Sequence, residues 1–253
     1  MITSASNERI KQVSALIRRH KERKNTGLFT AEGVKIHTEA PKERIEEVFV
    51  SESFAKENEQ LLSGAETVVV RDDVFAKMCD TQTPQGILTV LKQPKTTLEE
   101  ILERDGPIVL LEDVQDPGNV GTIIRTAEGA GAAGVILSSG CADLFAPKTI
   151  RSTMGSVFRV PAVFTDDPVQ TAERLHRFGS TLYAAHLRGK NFYDEQEYRS
   201  PCTLLIGNEA RGLSEGLSAA ADVLVKIPME GKLESLNASV AAGILLYTIR
   251  RKG

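Results

Sequence analysis

Leu204-Leu205-Ile206-Gly207-Asn208-Glu209-Ala210-Arg211-Gly212-Leu213 decides how this chain is read, together with two segments downstream of it. These are Val225-Lys226-Ile227-Pro228-Met229-Glu230-Gly231 and Leu233-Glu234-Ser235-Leu236-Asn237-Ala238-Ser239-Val240-Ala241. Each starts as a short apolar run and breaks into Gly, Asn, Ser or Pro, the pattern of a buried strand that ends in a loop. The last loop runs straight into the apolar helix pattern Val240, Ile244, Leu245, Tyr247, Thr248. Loops at strand ends backed by a helix are where an α/β domain builds a ligand site.

A related pattern lies upstream. Ile108-Val109-Leu110-Leu111-Glu112-Asp113-Val114-Gln115-Asp116-Pro117-Gly118-Asn119-Val120-Gly121 leads into Thr122-Ile123-Ile124-Arg125-Thr126-Ala127. The apolar run is a strand, Asp116-Pro117-Gly118 is turn chemistry, and Asn119 is the expected helix N-cap. Arg125 follows six residues later, less than two helical turns on. In this order and spacing the three segments resemble the motifs of the SpoU (TrmH) family of RNA ribose 2'-O-methyltransferases, within the SPOUT class.

The resemblance implies a C-terminal SPOUT domain over 106–253, with a mostly parallel sheet and a deep trefoil knot. Periodicity shows only the α/β part of that. Candidate strands fall at Ile108–Leu111, Val135–Ser138, Ala162–Phe164, Thr181–Ala185, Leu204–Gly207 and Val223–Ile227, with helical stretches between them. Knots are rare enough that sequence physics alone argues against one.

Residues 1–92 form a second, smaller α/β unit with strands near Leu28–Gly33, Val48–Val50, Thr67–Val70 and Gly86–Val90. The polar, Pro-containing run Gln93-Pro94-Lys95-Thr96-Thr97 opens a linker and lead-in over 93–105. Phe29-Thr30-Ala31-Glu32-Gly33-Val34-Lys35 and the Thr83-Pro84-Gln85-Gly86-Ile87 turn are similar to the substrate-binding domain that precedes many SpoU catalytic domains. That domain is akin to RNA-binding ribosomal proteins.

Composition limits the alternatives. The 253 residues carry a net charge of −3, which is not the footprint of a chain coated in cations for nonspecific nucleic-acid binding. The charge is uneven, however: residues 1–38 hold eight Lys and Arg against three Glu, a local charge of +5. Ile10, Val13, Leu16 and Ile17 recur at helical spacing behind a capping Asn7, and Arg18, Arg19, Lys21 and Lys24 stand around or just beyond them. Singly, each cation reads as a solvated side chain. As a cluster they suit RNA phosphates. Cys79, Cys141 and Cys202 form no paired motif, which argues against a zinc site or disulfide framework and fits a reducing cytoplasm. No apolar run approaches the roughly 18 residues of a membrane span.

A literal GxGxxG at Gly129, Gly131 and Gly134 lacks the dinucleotide-binding context, because the helix precedes it and the strand follows. A Rossmann oxidoreductase is therefore disfavoured. The resemblance implies methyl transfer from S-adenosylmethionine, without metal, to a ribose 2'-hydroxyl. The family pattern puts the cofactor at Gly207, Ile227, Leu236 and, at the end of an earlier strand, Leu187. For Ile227 and Leu236 core packing is the compatible alternative. Arg125, Asn119 and Glu209 are the catalytic candidates. A guanidinium is protonated at any physiological pH. Arg125 therefore suits stabilisation of a developing alkoxide and a two-pronged grip on a phosphate better than the role of base. Proton acceptors left open are a neighbouring phosphate, water or Glu209. Asn119 reads as a helix cap or as a contact to ribose or Arg125, and Glu209 as the group that orients Arg125 or a substrate group. Asn237 and Ser239 read as caps of the last helix or as substrate contacts.

Arg151, in a Ser/Gly-rich turn that also resembles the family, is an RNA contact or a surface Arg. The implied assembly is a homodimer, for which the apolar last helix is a candidate interface. Structured RNA is the implied partner, ribosomal RNA ahead of transfer RNA. Other readings are a tRNA 2'-O-methyltransferase, a base-nitrogen methyltransferase of the same class, and a noncatalytic RNA-binding assembly protein.

Overall fold

A computed structural model describes residues 1–62 and 66–253. The chain forms two compact units, Met1–Lys95 with Asp143–Phe158, and Thr96–Ala142 with Arg159–Gly253.

The first unit begins with α1 (Glu8–Arg18), capped by the Asn7 side chain. Arg19 is extended, at φ −121° and ψ 116°, and separates α1 from α2 (His20–Thr26). Gly27 ends α2 in the left-handed region at φ +66°, where a Cβ would be strained. There follow β1 (Leu28–Glu32), α3 (Val34–Glu39), β2 (Ile45–Ser51), α4 (Glu52–Glu57), β3 (Thr67–Val70), α5 (Asp72–Met78) and β4 (Ile87–Lys92). The sheet order is β1-β4-β2-β3, with β4 antiparallel to both β1 and β2, and β2 parallel to β3. The apolar stripe of α1 packs on Phe49, Val74, Phe75, Met78 and Leu88. Fully burying each such side chain stabilises the unit by about 1.5–3 kcal/mol. Glu32 accepts bonds from the Thr81 hydroxyl and the Gln85 amide. Gln85 Oε1 in turn accepts from Val34 N. The two segments that resemble a substrate-binding domain thus hold each other.

The second unit runs α6 (Leu98–Leu102), β5 (Ile108–Leu111), α7 (Pro117–Gly129) and β6 (Gly134–Ser138). The chain then joins the first unit, forms α8 (Pro147–Thr153), and comes back. It continues as β7 (Ala162–Thr165), α9 (Pro168–Arg177), β8 (Thr181–Ala185), β9 (Asn191–Phe192), β10 (Cys202–Ile206), α10 (Glu215–Ala220), β11 (Val223–Lys226) and α11 (Ala238–Lys252). The seven strands are parallel, in the order β7-β6-β5-β10-β8-β11-β9. Every residue of β5, β6 and β10 is buried, which is why they read as continuous apolar runs rather than alternating ones. One face, with Leu110, Ile136, Leu182 and Leu205, meets Ile101 of α6, Leu175 of α9 and Leu217 of α10. Helices α7 and α11 pack together, and α11 also lies against β10 and β8.

Four features depart from the sequence reading. Helix α7 starts at Pro117, and its N-cap is Asp116, whose side chain accepts from Asn119 N. Pro at the first helical position and Asp before it are stronger start signals than the Asn two residues on. Asn119 therefore lies inside the first turn. The edge strand β9 has only two exposed residues and leaves no apolar run to read. Leu233–Asn237 forms no strand; it is the loop that enters α11. Finally, Asp143–Phe158 belongs to the first unit although its sequence lies within 106–253. Phe145 stacks on Phe29 with ring centroids 5.0 Å apart. Arg23, buried to 5 % exposure, donates to Asp143 at 2.6 and 2.8 Å.

Candidate functional site

In the second sheet the chain moves outward from β5 to β6 and β7, then returns on the other side of β5 to build β8 to β11. The order therefore reverses between β5 and β10, the position where open α/β sheets bind ligands beyond their strand ends. The loops that leave β5 and β10 meet there.

Glu209, just beyond β10, turns its carboxylate onto the start of α7. Oε1 accepts from Asp116 N at 3.1 Å and from Asn119 Nδ2 at 2.9 Å, and Oε2 accepts from Gln115 N at 3.1 Å. Burial raises its pKa. The bonds from Asn119 and from the backbone N–H groups outweigh that and hold the carboxyl below the ordinary carboxylate range. Three donors and a helix N-terminus stabilise the anion. On its other side the Asn119 side-chain oxygen accepts from Asn237 Nδ2 at 2.9 Å. Asn237 caps α11, its oxygen accepting from Ser239 N at 2.9 Å, Ser239 Oγ at 2.7 Å and Val240 N at 3.4 Å. Asn237, Asn119 and Glu209 thus form a continuous chain that fixes the N-termini of α7 and α11 to the β10 loop. Asn237 is thus the cap of α11, the first of its two readings, and Ser239 stands in the first turn of that helix.

Arg125 is exposed on α7, six residues beyond Asn119, about 9 Å along the axis. It has no hydrogen-bonding or ionic partner among the described residues. Glu209 bonds Asn119 and the backbone, and Arg125 is left to face solvent.

Beside the Glu209 loop lies a cleft of about 500 Å³. Gly207, Ile227, Leu236 and Leu187, the four cofactor candidates, all line it. Ile206, Val225, Ala241 and Leu245 add apolar wall. At Gly207 a Cβ would stand 2.3 Å from Gly212 C and from Leu213 N. The loop folds back over this residue through the paired backbone bonds Asn208 N to Gly212 O, 3.1 Å, and Gly212 N to Asn208 O, 2.8 Å. The cradle exists because position 207 has no side chain. Glu209, Arg211, Glu215, Lys226 and Glu234 also line the cleft, and its apolar part suits a neutral purine, which needs walls and hydrogen bonds rather than charge.

Sequence reasoning overlooked Asn208. It is buried, donates to Asp113 O at 2.8 Å and accepts from Ala210 N and Arg211 N at 3.0 and 3.1 Å. It ties the β5 loop to the β10 loop. The signal available was an Asn between Gly and Glu at a strand end, a residue type that stabilises turns through its own side chain. Asp113 has φ +55°, and its amide and carboxylate both bond Ser138 Oγ.

The RNA candidates lie in the first unit. Arg18, Arg19, Lys21 and Lys24 are exposed. Arg23, inside the same basic run, is removed from it by its pairing with Asp143. Arg151, on α8, pairs with Asp80 at 3.3 Å and stays 38 % exposed.

The sequence profile of the SpoU rRNA methylase family matches residues 106–247, and that of an MRM3-like substrate-binding domain matches residues 7–89. The 23S rRNA (guanosine(2553)-2'-O)-methyltransferase RlmP of Bacillus subtilis is 36 % identical over 251 residues, covering 98 % of each chain. The SpoU methyltransferase AviRb of Streptomyces viridochromogenes, solved with its cofactor AdoMet, superposes with a TM-score of 0.85 at 30 % identity, covering 97 % of this chain and 98 % of that one. The AdoMet-bound rRNA methyltransferase of Sinorhizobium meliloti gives a TM-score of 0.83 at 34 % identity, covering 99 % and 97 %.

Proposed function

The chain belongs to the SpoU rRNA methylase family, and from that premise we propose that it transfers a methyl group from S-adenosylmethionine to a ribose 2'-hydroxyl of ribosomal RNA. The observation that carries this reading is the Asn237–Asn119–Glu209 chain, which joins the three motif loops beside the Gly207 cleft.

When bound, S-adenosylmethionine supplies a methyl carbon on a sulfonium, which leaves as a neutral thioether. Gly207, Ile227, Leu236 and Leu187, which line the cleft, would hold the donor. Reaction then depends mainly on alignment, because an in-line displacement gains most from correct placement of the three reacting atoms. Arg125, free of internal partners among the described residues, grips an RNA phosphate and stabilises charge developing on the ribose oxygen. Glu209 is a positioning residue. Both its oxygens are already taken by donors, and its lowered pKa makes it a weak base. The 2'-hydroxyl proton therefore goes to water or to a neighbouring RNA phosphate.

Ribosomal RNA is favoured over transfer RNA because the likeness to rRNA enzymes spans both units, including the MRM3-like segment. A homodimer is part of the proposal. Val240, Ile244 and Tyr247 recur at helical spacing on the outer face of α11, with Val240 and Tyr247 49 % and 54 % exposed. The cytoplasm is the proposed compartment. No helix among the described residues is long and apolar enough to cross a membrane.

The test is transfer of labelled methyl to rRNA and tRNA pools by the wild type beside Arg125→Ala. Label in 2'-O-methylated nucleotides of rRNA, lost by roughly a hundredfold or more in the variant, is expected. Label on a base nitrogen would overturn the ribose reading.

A further inference from the structure

We propose that the groove between α1 and α5 is a track for the sugar–phosphate backbone of RNA, in which Lys11 and Lys77 act beside Arg18 and Arg19. The proposal rests on the RNA-modifying function above and names where the first unit holds its substrate.

Helical periodicity puts Glu8, Lys11, Ala15 and Arg18 on one face of α1. Across from them α5 contributes Val74, Lys77 and Met78. Between the two helices lies a groove of about 560 Å³. Its floor is the outer edge of core residues Ile10, Val74 and Met78, and Ser14 and Ala15 are small enough to leave it open. Lys11, Arg18, Arg19 and Lys77 line it, against only Glu8 and Glu22. A strip of net positive charge therefore stands on a chain whose overall charge is −3.

The geometry favours a polyanion over a small ion. Arg18 donates to the carbonyl of Lys77 at 3.3 Å, which joins the two rims and leaves most of the guanidinium N–H groups pointing outward. Lys11 touches Glu8 at 3.2 Å, but both side chains are more than half exposed. Such a pair is worth little and yields to a phosphate. Gln12 and Ser14 add the neutral polar groups that commonly contact sugar and phosphate. No aromatic side chain lines the groove among the described residues, so bases have nothing to stack on. The RNA is held by its backbone, without regard to sequence. Lys21 and Lys24, from the same basic run, do not line the groove.

The test uses the full-length protein with deproteinised large-subunit rRNA and, separately, an unrelated folded RNA of similar length. The affinity of wild type, Arg19→Ala/Lys77→Ala and a control, Lys56→Ala/Lys92→Ala, is followed across a salt series. Lys56 and Lys92 are exposed and lie outside the groove. Loss of two phosphate contacts lowers the slope of log affinity against log salt by about 1.8 on duplex RNA and about 1.4 on a single strand. The expected result is that reduction on both RNAs for the groove variant and none for the control. The circular dichroism spectrum and the urea unfolding midpoint should be unchanged in all three, which excludes misfolding of the first unit. An unchanged slope in Arg19→Ala/Lys77→Ala, or an equal loss in the control, overturns the groove. The outcomes separate from those of the catalytic reading. A wild type that binds with the groove-dependent slope but transfers no methyl sinks the methyltransferase assignment alone. One that methylates rRNA while the groove variant keeps its slope sinks the groove alone.

Discussion

Glu209 and Asp143 are both multiply bonded carboxylates with pKa values held below the ordinary range, yet their partners differ in kind. Burial opposes ionisation of Asp143, and His20 and then Arg23 overcome it by hydrogen bonding and charge. The Arg23 guanidinium cancels the Asp143 charge in a nearly dry setting, with side chains 6 % and 15 % exposed. Glu209 is held by an amide side chain and two backbone N–H groups, with no cation at ion-pair distance among the described residues. Its charge is stabilised but not cancelled, and it lines the cleft proposed for a cationic methyl donor. The lesson is that partner type separates a staple from a working charge. A charged partner removes the field, and neutral donors keep it.

The largest expected effect is on catalysis. Glu209→Gln presents an N–H to donors that need an acceptor and removes the negative charge at the cleft. The rate of methyl transfer is expected to fall roughly a hundredfold, the scale of losing one preorganised electrostatic group. A fall of less than tenfold at saturating cofactor would place Glu209 with Asp143 as a staple.

Next comes stability. Arg23→Met leaves a largely buried carboxylate with His20 as its only side-chain partner among the described residues. The expected cost is about 3 kcal/mol in urea unfolding, with the rate per folded molecule unchanged. Arg23→Met/Asp143→Asn should recover most of that loss. If the double variant is no more stable than the single one, the pair is not what makes Arg23 matter.

Acid gives a smaller and signed effect. Both carboxyls titrate lower folded than unfolded, so the stability they contribute is fully present above the unfolded values near 4 and is lost as pH falls through the folded ones. Arg23→Met removes part of the cause at Asp143, so its stability should fall less steeply below about pH 4 than that of the wild type. Identical acid limbs in chemical unfolding would contradict the pairing. The smallest change expected is for His20→Ala. The His20 side chain is 65 % exposed, and its bond to Asp143 should be worth no more than about 1 kcal/mol.

Much of this was legible from short-range pattern. Six parallel strands read directly, and β5, β6 and β10 most plainly, because strands buried along their whole length are continuous apolar runs between turn residues. The four cofactor candidates converge on one cleft because each ends a strand or enters a helix at the same edge of the sheet. What was not legible depends on partners distant in sequence. Arg23 looks like its neighbours in a basic run, and only Asp143, 120 residues away, decides that it is buried. Glu209 was read as orienting Arg125 or a substrate group, and no local pattern shows that its carboxylate accepts from Gln115 N, Asp116 N and the Asn119 side chain, all distant in sequence. Asn119 was assigned to the wrong helical position because Pro117 and Asp116 were read as a turn rather than as the helix start.

The discontinuity of the first unit has a consequence for how such enzymes can be recombined. The backbone crosses between units at Lys95/Thr96, Ala142/Asp143 and Phe158/Arg159, three times rather than once. A chimaera joined near residue 95 would graft a foreign module onto a partner that still carries Leu144, Phe145, Ile150 and Val157, side chains shaped for the original. Exchange of targets between relatives therefore requires two segments to travel together. Retargeting by a single crossover is penalised, and gradual change of surface residues within an intact pair of units is the easier evolutionary route.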